Sequence, residues 1–304
     1  MSKSVMSLID DFNDRGSLTK YLGHQLFRGR LALILGAGIS KPFGLPEWDD
    51  LISKLFEKKG DTKPADKTAA QLAEFFRLKY FEDDSEGFKT AVHEALYENA
   101  SADFKSLREN GTLAAFGALV MSSRRGSTSD VINFNFDDLL ELYLEYHGFV
   151  TDSVTNDVHW KQTADVNVYH PHGFLPFDTS KPRSDEIVLD QSSFSKVVGK
   201  EGDLWRQTAM SIFRRRTCLF VGLSGDDTNL DSMLIEAKQQ HAANLENTCF
   251  WGVKFSAAEN EVERSLWQER GVYYQLISDY HTDLPSFMFE ICQHAADLAK
   301  TGAI

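Results

Sequence analysis

LALILGAGIS, residues 31–40, decides the fold: five apolar positions run straight into Gly36-Ala37-Gly38-Ile39-Ser40. A short apolar run closed by glycines reads as a buried strand at 31–35 ending in a tight turn. Glycines at such a turn let the backbone approach a pyrophosphate closely and present amide N–H groups to it, often beside a helix N-terminus. A Gly-x-Gly pair by itself is equally compatible with a plain turn. The dehydrogenase fingerprint is incomplete here, because Lys41 stands where the third glycine belongs, and no acid closes the next strand about 20 residues on.

Outward from this turn, Leu18, Tyr21, Leu22 and Leu26 lie at helical spacing and place one or two amphipathic helices in residues 1–30. A helix is expected near 47–58, stopped by Gly60, and only helical patterns follow from about 66 to 122. Strand signals resume at 131–132 and return at 166–169, 187–189, 217–222, 249–255 and 272–277, with helices between the later ones. Strands alternating with helices require a mostly parallel sheet covered on both faces. The expected architecture is therefore a doubly wound, Rossmann-like α/β domain over 31–300, with a helical insertion at about 60–125 forming a smaller domain. Such sheets bind ligands at the carboxyl ends of their strands.

The totals narrow the function classes. The chain has 304 residues, 42% of them hydrophobic and 25% charged, close to globular averages. Its net charge of −13 opposes a phosphate backbone, so nucleic-acid binding by this chain alone is not expected. Cys218, Cys249 and Cys292 form no Cys-x-x-Cys pair and read as small buried hydrophobes. The first dozen residues carry acids and lack a signal-like apolar run, and no stretch has membrane-spanning length, so a cytoplasmic location is expected.

Four stretches carry more specific information. The glycine turn continues as Ser40-Lys41-Pro42-Phe43-Gly44-Leu45-Pro46-Glu47-Trp48, a bend rich in Pro and Gly that leads to an aromatic ring. Next come Asn133-Phe134-Asn135-Phe136-Asp137, then Val168-Tyr169-His170-Pro171-His172-Gly173, then Val221-Gly222-Leu223-Ser224-Gly225-Asp226-Asp227-Thr228-Asn229. Each has a structural alternative. Asp137 and Asp138 suit the first turn of the following helix, where acids complement the dipole, Asp227 and Asn229 suit a helix cap, and Trp48 suits the core as well as a lid. The clusters Arg124-Arg125 and Arg214-Arg215-Arg216 read as solvated charge at helix ends.

In this order the four stretches resemble the sirtuin-like family. The resemblance implies that Gly36, Ala37, Gly38, Ser40, Pro46 and Trp48 form the loop over NAD+. It makes Asn135 and Asp137 the groups that hold the nicotinamide ribose and its attacking water, and His172 the catalytic base, with His170 as its neighbour and rival. Gly222, Ser224 and Asp227 would contact the adenine-side ribose and phosphate. Adenine itself is expected near residues 251–255 or 278–280, at strand ends.

Sirtuins that deacylate lysine carry a zinc module with two Cys-x-x-Cys pairs, which three dispersed cysteines cannot build, and Phe134 replaces their Gln. No metal is expected. The departures resemble a bacterial branch of anti-phage effectors that hydrolyse NAD+ outright. That branch implies a homo-oligomer with a separately encoded HerA-like ATPase or other sensor. A protein deacylase and a non-hydrolysing NAD+ or ADP-ribose sensor stand as alternatives; a hydride-transferring dehydrogenase fits worst.

Overall fold

The structure, a computed structural model, describes residues 12–121, 126–155, 163–199, 204–223, 228–241 and 250–301. Seven strands form one sheet: β1 (Leu31–Leu35), β2 (Asp130–Asn133), β3 (Thr151–Val154), β4 (Val166–Tyr169), β5 (Thr217–Val221), β6 (Gly252–Ser256) and β7 (Val272–Leu276). Their order is β3-β4-β2-β1-β5-β6-β7, and every neighbouring pair is parallel. From β1 the chain builds β2, β4 and β3 on one side and β5, β6 and β7 on the other. The direction of winding reverses between β1 and β5, the kind of crevice where open α/β sheets take ligands.

Alternate residues of each strand feed opposite faces. Leu33, Leu35, Val131, Leu219, Val221 and Phe255 join one hydrophobic cluster, under helices α1 (Arg15–Phe27) and α12 (Asp283–Thr301). Ala32, Ile34, Ile132, Cys218 and Phe220 join the other, under α9 (Leu204–Arg215), α10 (Thr228–His241) and α11 (Glu261–Glu269). Both faces are therefore covered, as an all-parallel sheet requires.

Among the described residues five α-helices lie between β1 and β2: α2 (Trp48–Lys58), α3 (Ala69–Phe81), α4 (Ser85–Leu96), α5 (Phe104–Glu109) and α6 (Gly111–Val120). Asp49 and Asp50 open α2, Lys58 closes it, and Leu51, Ile52, Leu55 and Phe56 bury one stripe. A capping box between Thr68 and Gln71 starts α3. Leu72, Phe76, Phe88, Val92, Leu107 and Phe116 from this region belong to the same cluster as β1 and α12. The remaining helices are α7 (Leu139–Tyr146), directly after β2, and α8 (Gln191–Gly199).

Three expectations are corrected. Residues 187–189 form no strand. Leu189 is fully buried and Val188 N donates to His172 O at 2.7 Å, so the apolar run serves a packed loop. Strand β3 at 151–154 escaped the sequence reading because Asp152 and Ser153 break its apolar pattern. Finally, Arg216 is tied down as well as solvated, pairing with Asp130 at 2.8 Å.

Candidate active site

The register lines up the ends of four adjacent strands. Leu35 lies opposite both Asn133 and Val221, and Ile132 lies opposite Tyr169. The segments after β1, β2, β4 and β5 therefore leave the sheet side by side at its carboxyl rim.

After β1 the chain makes two short turns, Ala37–Ile39 and Lys41–Phe43, and Gly44 closes the second at a left-handed φ of 83°. A Cβ at Gly44 would sit 2.2 Å from Asn99 O, so this glycine is required twice over. The amides of Gly36 and Gly38 donate to Val221 O and Gly222 O at 3.0 and 2.9 Å. Gly222, itself at φ 73°, packs backbone to backbone against them: a Cβ on Gly36 would lie 2.6 Å from Gly222 O. These glycines close the seam between β1 and β5, and their N–H groups point into that seam instead of out to a ligand.

The polar groups converge one turn further on. Ser40 donates its hydroxyl to Asp137 Oδ2 at 2.7 Å. Asn135 Nδ2 donates to Gly36 O and to Ser40 Oγ, both at 3.1 Å. Because Gly36 O only accepts, it fixes which way the Asn135 amide faces. Asn133 Oδ1 accepts the Asn135 amide N–H at 3.1 Å, and Leu139 N donates to Asp137 Oδ1 at 3.3 Å, so this carboxylate also meets the start of α7. Burial pushes the Asp137 carboxyl up to about 6, against the Ser40 hydrogen bond that favours its ionised form. Burial also pushes Asp138 up to about 7; its Oδ1 accepts Phe177 N at 2.8 Å and Lys181 lies 3.7 Å from its Oδ2.

After β4 the chain places two histidines in different surroundings. His170, 0% exposed, bridges Asn135 O at 3.0 Å through Nδ1 and Glu141 Oε1 at 2.7 Å through Nε2. Burial opposes its charged form, yet the Glu141 carboxylate outweighs this and holds the imidazole above its usual pKa. His172, 1% exposed, stands edge-on to three rings: Phe134 at 5.1 Å, Phe194 at 5.4 Å and Trp48 at 5.8 Å between centroids. Gly173 follows at φ 98°, where a Cβ would lie 2.7 Å from Glu186 O. Trp48, half-buried at the start of α2, has a buried Nε1 with no hydrogen-bond partner among the described residues.

The sequence-derived residues thus divide as follows. Gly36, Ala37, Gly38, Ser40, Asn135, Asp137, His172 and Gly222 share one rim, with Trp48 reaching it from α2 and Pro46 half-buried in the bend before that helix. Ser224 and Asp227 lie outside the described residues, as do Cys249, Arg124 and Arg125. Trp251 is corrected: it precedes β6 at the opposite end of the strand, packed against Phe213 and Phe220, with its Nε1 donating to Arg270 O at 2.9 Å. Two participants were missed. Glu141 looks like one more solvated acid of a short helix, and Phe194 carries no motif. The one available signal for Glu141 was its position one helical turn after Asp137.

Among the described residues no group of three or more His, Cys, Asp or Glu side chains is arranged to hold a metal ion. Residues 129–275 match the family model described as SIR2-like domain. That span contains the stretches after β2, β4 and β5, while the glycine turn after β1 precedes it. A search of the curated proteins finds no match. A SIR2-like domain implies use of NAD+, and residues 129–275 are similar to that family, with their motifs gathered at the winding reversal of a parallel sheet.

Proposed function

We propose that this chain is an NAD+ glycohydrolase, cleaving NAD+ to nicotinamide and ADP-ribose. The observation that carries the reading is the pairing of a hydrogen-bonded Asn135–Ser40–Asp137 chain with a histidine, His172, walled by three aromatic rings. A planar, apolar-faced leaving group suits such walls, and the unpartnered Trp48 indole N–H is a donor for an acceptor on the ligand.

The reaction breaks the bond from the ribose C1′ to nicotinamide and forms a bond from C1′ to a water oxygen. Positive charge develops on the sugar, and catalysis requires that charge to be stabilised and the water oriented. In this reading Asn135 orients the water or a ribose hydroxyl, and Asp137 fixes hydroxyl geometry and opposes the developing charge. His172 accepts the proton released by the water or by a ribose hydroxyl. Gly36 and Gly38 shape the loop by closing the β1–β5 seam, so that Ala37, Ser40 and Pro46 line the diphosphate side, while Gly222, Ser224 and Asp227 serve the adenine-side ribose and phosphate.

Incubation of the pure protein with NAD+, with and without an acyl-lysine peptide, tests the reading. Nicotinamide and free ADP-ribose without peptide support it. Strict peptide dependence identifies a deacylase, and binding without turnover identifies a sensor. His172→Ala and Asn135→Ala should each lower turnover by at least about 100-fold with the fold retained; near-normal rates in either reject that residue's role.

The biological reading is a NAD+-depleting effector of anti-phage defence, held silent as a homo-oligomer with a separately encoded partner such as a HerA-like ATPase, in the cytoplasm. It is supported by the absence from the sequence of paired cysteines for a zinc module and by the danger an unrestrained NADase poses to its own cell. A monodisperse monomer, fully active alone, would overturn the restraint.

A further inference from the structure

We infer that His170 and Glu141 act as a positioning pair that sets the Asn135 amide and the charge environment of Asp137, and that His170 is not the proton acceptor. The reaction it serves is the proposed hydrolysis; the assignment of roles rests on donor and acceptor counting.

The two groups that His170 bridges are a backbone carbonyl, Asn135 O, and a carboxylate, Glu141 Oε1. A carbonyl only accepts, so Nδ1 must carry a hydrogen. At Nε2 one proton lies between nitrogen and carboxylate, on one or the other. In both arrangements no ring lone pair is open to take a proton from water or ribose. His172, two residues on, is bounded by rings and keeps the acceptor's role.

The pair is anchored on its far side as well. Ser153 of β3 donates to Glu141 Oε1 at 3.2 Å, so β3, α7 and β4 meet at one carboxylate oxygen. The Phe174 ring lies 4.7 Å from the imidazole, and the charged groups facing it are Glu141 and Asp137. The chain of contacts is continuous: Glu141 holds His170, His170 holds the Asn135 backbone, and the Asn135 side chain meets Ser40, which meets Asp137. A shift of the Asn135 backbone therefore moves the reacting geometry, and displacements of about 1 Å cost about 100-fold in rate.

Steady-state kinetics of NAD+ hydrolysis across pH test this with His170→Asn, Glu141→Ala and Glu141→Gln. Glu141→Gln can donate to His170 Nε2 and keep the Nδ1 hydrogen bond, so it should recover most of the turnover that Glu141→Ala loses. Glu141→Ala should lower kcat by about 30-fold or more with KM changed by less than about threefold. His170→Asn should keep the acidic limb of the pH profile, moved upward because the imidazolium no longer favours ionised Asp137. Loss of that limb in His170→Asn, or equal damage from both Glu141 variants with the fold intact, overturns the assignment. A readout independent of turnover is the ring ¹⁵N spectrum of labelled histidine. His170 Nδ1 should remain protonated between about pH 5 and pH 9, and a deprotonated Nδ1 overturns the proposal even where His170→Asn fails to fold. Wild-type protein that leaves NAD+ intact counts against the hydrolase reading alone, and the spectrum then decides the pair.

Discussion

Asp137 shows how one buried carboxyl ties stability to activity. Its folded pKa of about 6, and that of Asp138 at about 7, lie above the ordinary 3.8. Between about pH 4 and pH 7 the folded chain binds more protons at these groups than the unfolded chain does, so their contribution to stability falls as pH rises through that window. Asp138→Asn removes the penalty while its Oδ1 still accepts Phe177 N. We predict stabilisation on the order of 2 kcal/mol at pH 8, shrinking towards zero at pH 4, read from denaturant midpoints. Equal effects at the two pH values would refute the burial argument. The proposed hydrolysis moves the opposite way, because it uses Asp137 ionised: its kcat/KM should fall as pH drops through about 6. Ser40→Ala removes the hydroxyl that favours the ionised form, so it should lower the rate and shift that limb upward by about one pH unit.

At the scale of elements, the site depends on helices that contribute few of its groups. Helix α4 grips the segment after His172 at several points: His93 Nε2 lies 3.0 Å from Pro176 O, Tyr97 donates to Leu175 O at 2.7 Å, and Lys89 donates to Ser184 O and Asp185 O at 3.1 and 2.8 Å. Helix α3 adds Arg77 to Asp190 at 3.0 Å and Glu74 to Ser192. The insertion therefore carries the segment that brings Phe194 over His172. Tyr97, held well above its ordinary pKa by burial and by Asp137, Asp138 and Glu141, stays a donor throughout the working range. Tyr97→Phe should cost about 1–2 kcal/mol in a denaturant titration by leaving the Leu175 carbonyl unsatisfied. Gly36→Ala acts on the neighbouring element pair. Its Cβ would meet Gly222 O and the Leu223 side chain at 2.6 Å, so we expect a loss of at least about 2 kcal/mol and of turnover, seen together in melts and kinetics. On the other side of this seam, Lys254, buried in β6 and pushed down to about 8 by burial, donates to Leu223 O and fixes the exit of β5.

For the whole molecule, two hydrophobic layers and one parallel sheet place every strand end of interest on a single rim. No helix among the described residues is long and apolar enough to cross a membrane. With a net charge of −13, the chain should show no salt-sensitive binding to duplex DNA in an anisotropy titration at physiological ionic strength. Affinity that weakens steeply with added salt would reverse that reading.

The sequence by itself determined the alternation of elements, the buried strand before Gly36 and the rim on which Asn135, Asp137 and His172 sit, because apolar periodicity and glycine placement are local properties of the chain. Only the family resemblance favoured His172 over His170 as the base, because residue type alone does not say what folds against each: Glu141 from α7 for His170, and Trp48, Phe134 and Phe194 for His172. It also read residues 187–189 as a strand and placed Trp251 among the strand-end residues near the adenine, since composition marks burial without saying at which end of a strand, or in which layer, a side chain is buried. Those assignments belong to the tertiary structure, because hydrogen-bond partners, desolvation and ring contacts arise between residues far apart in the chain.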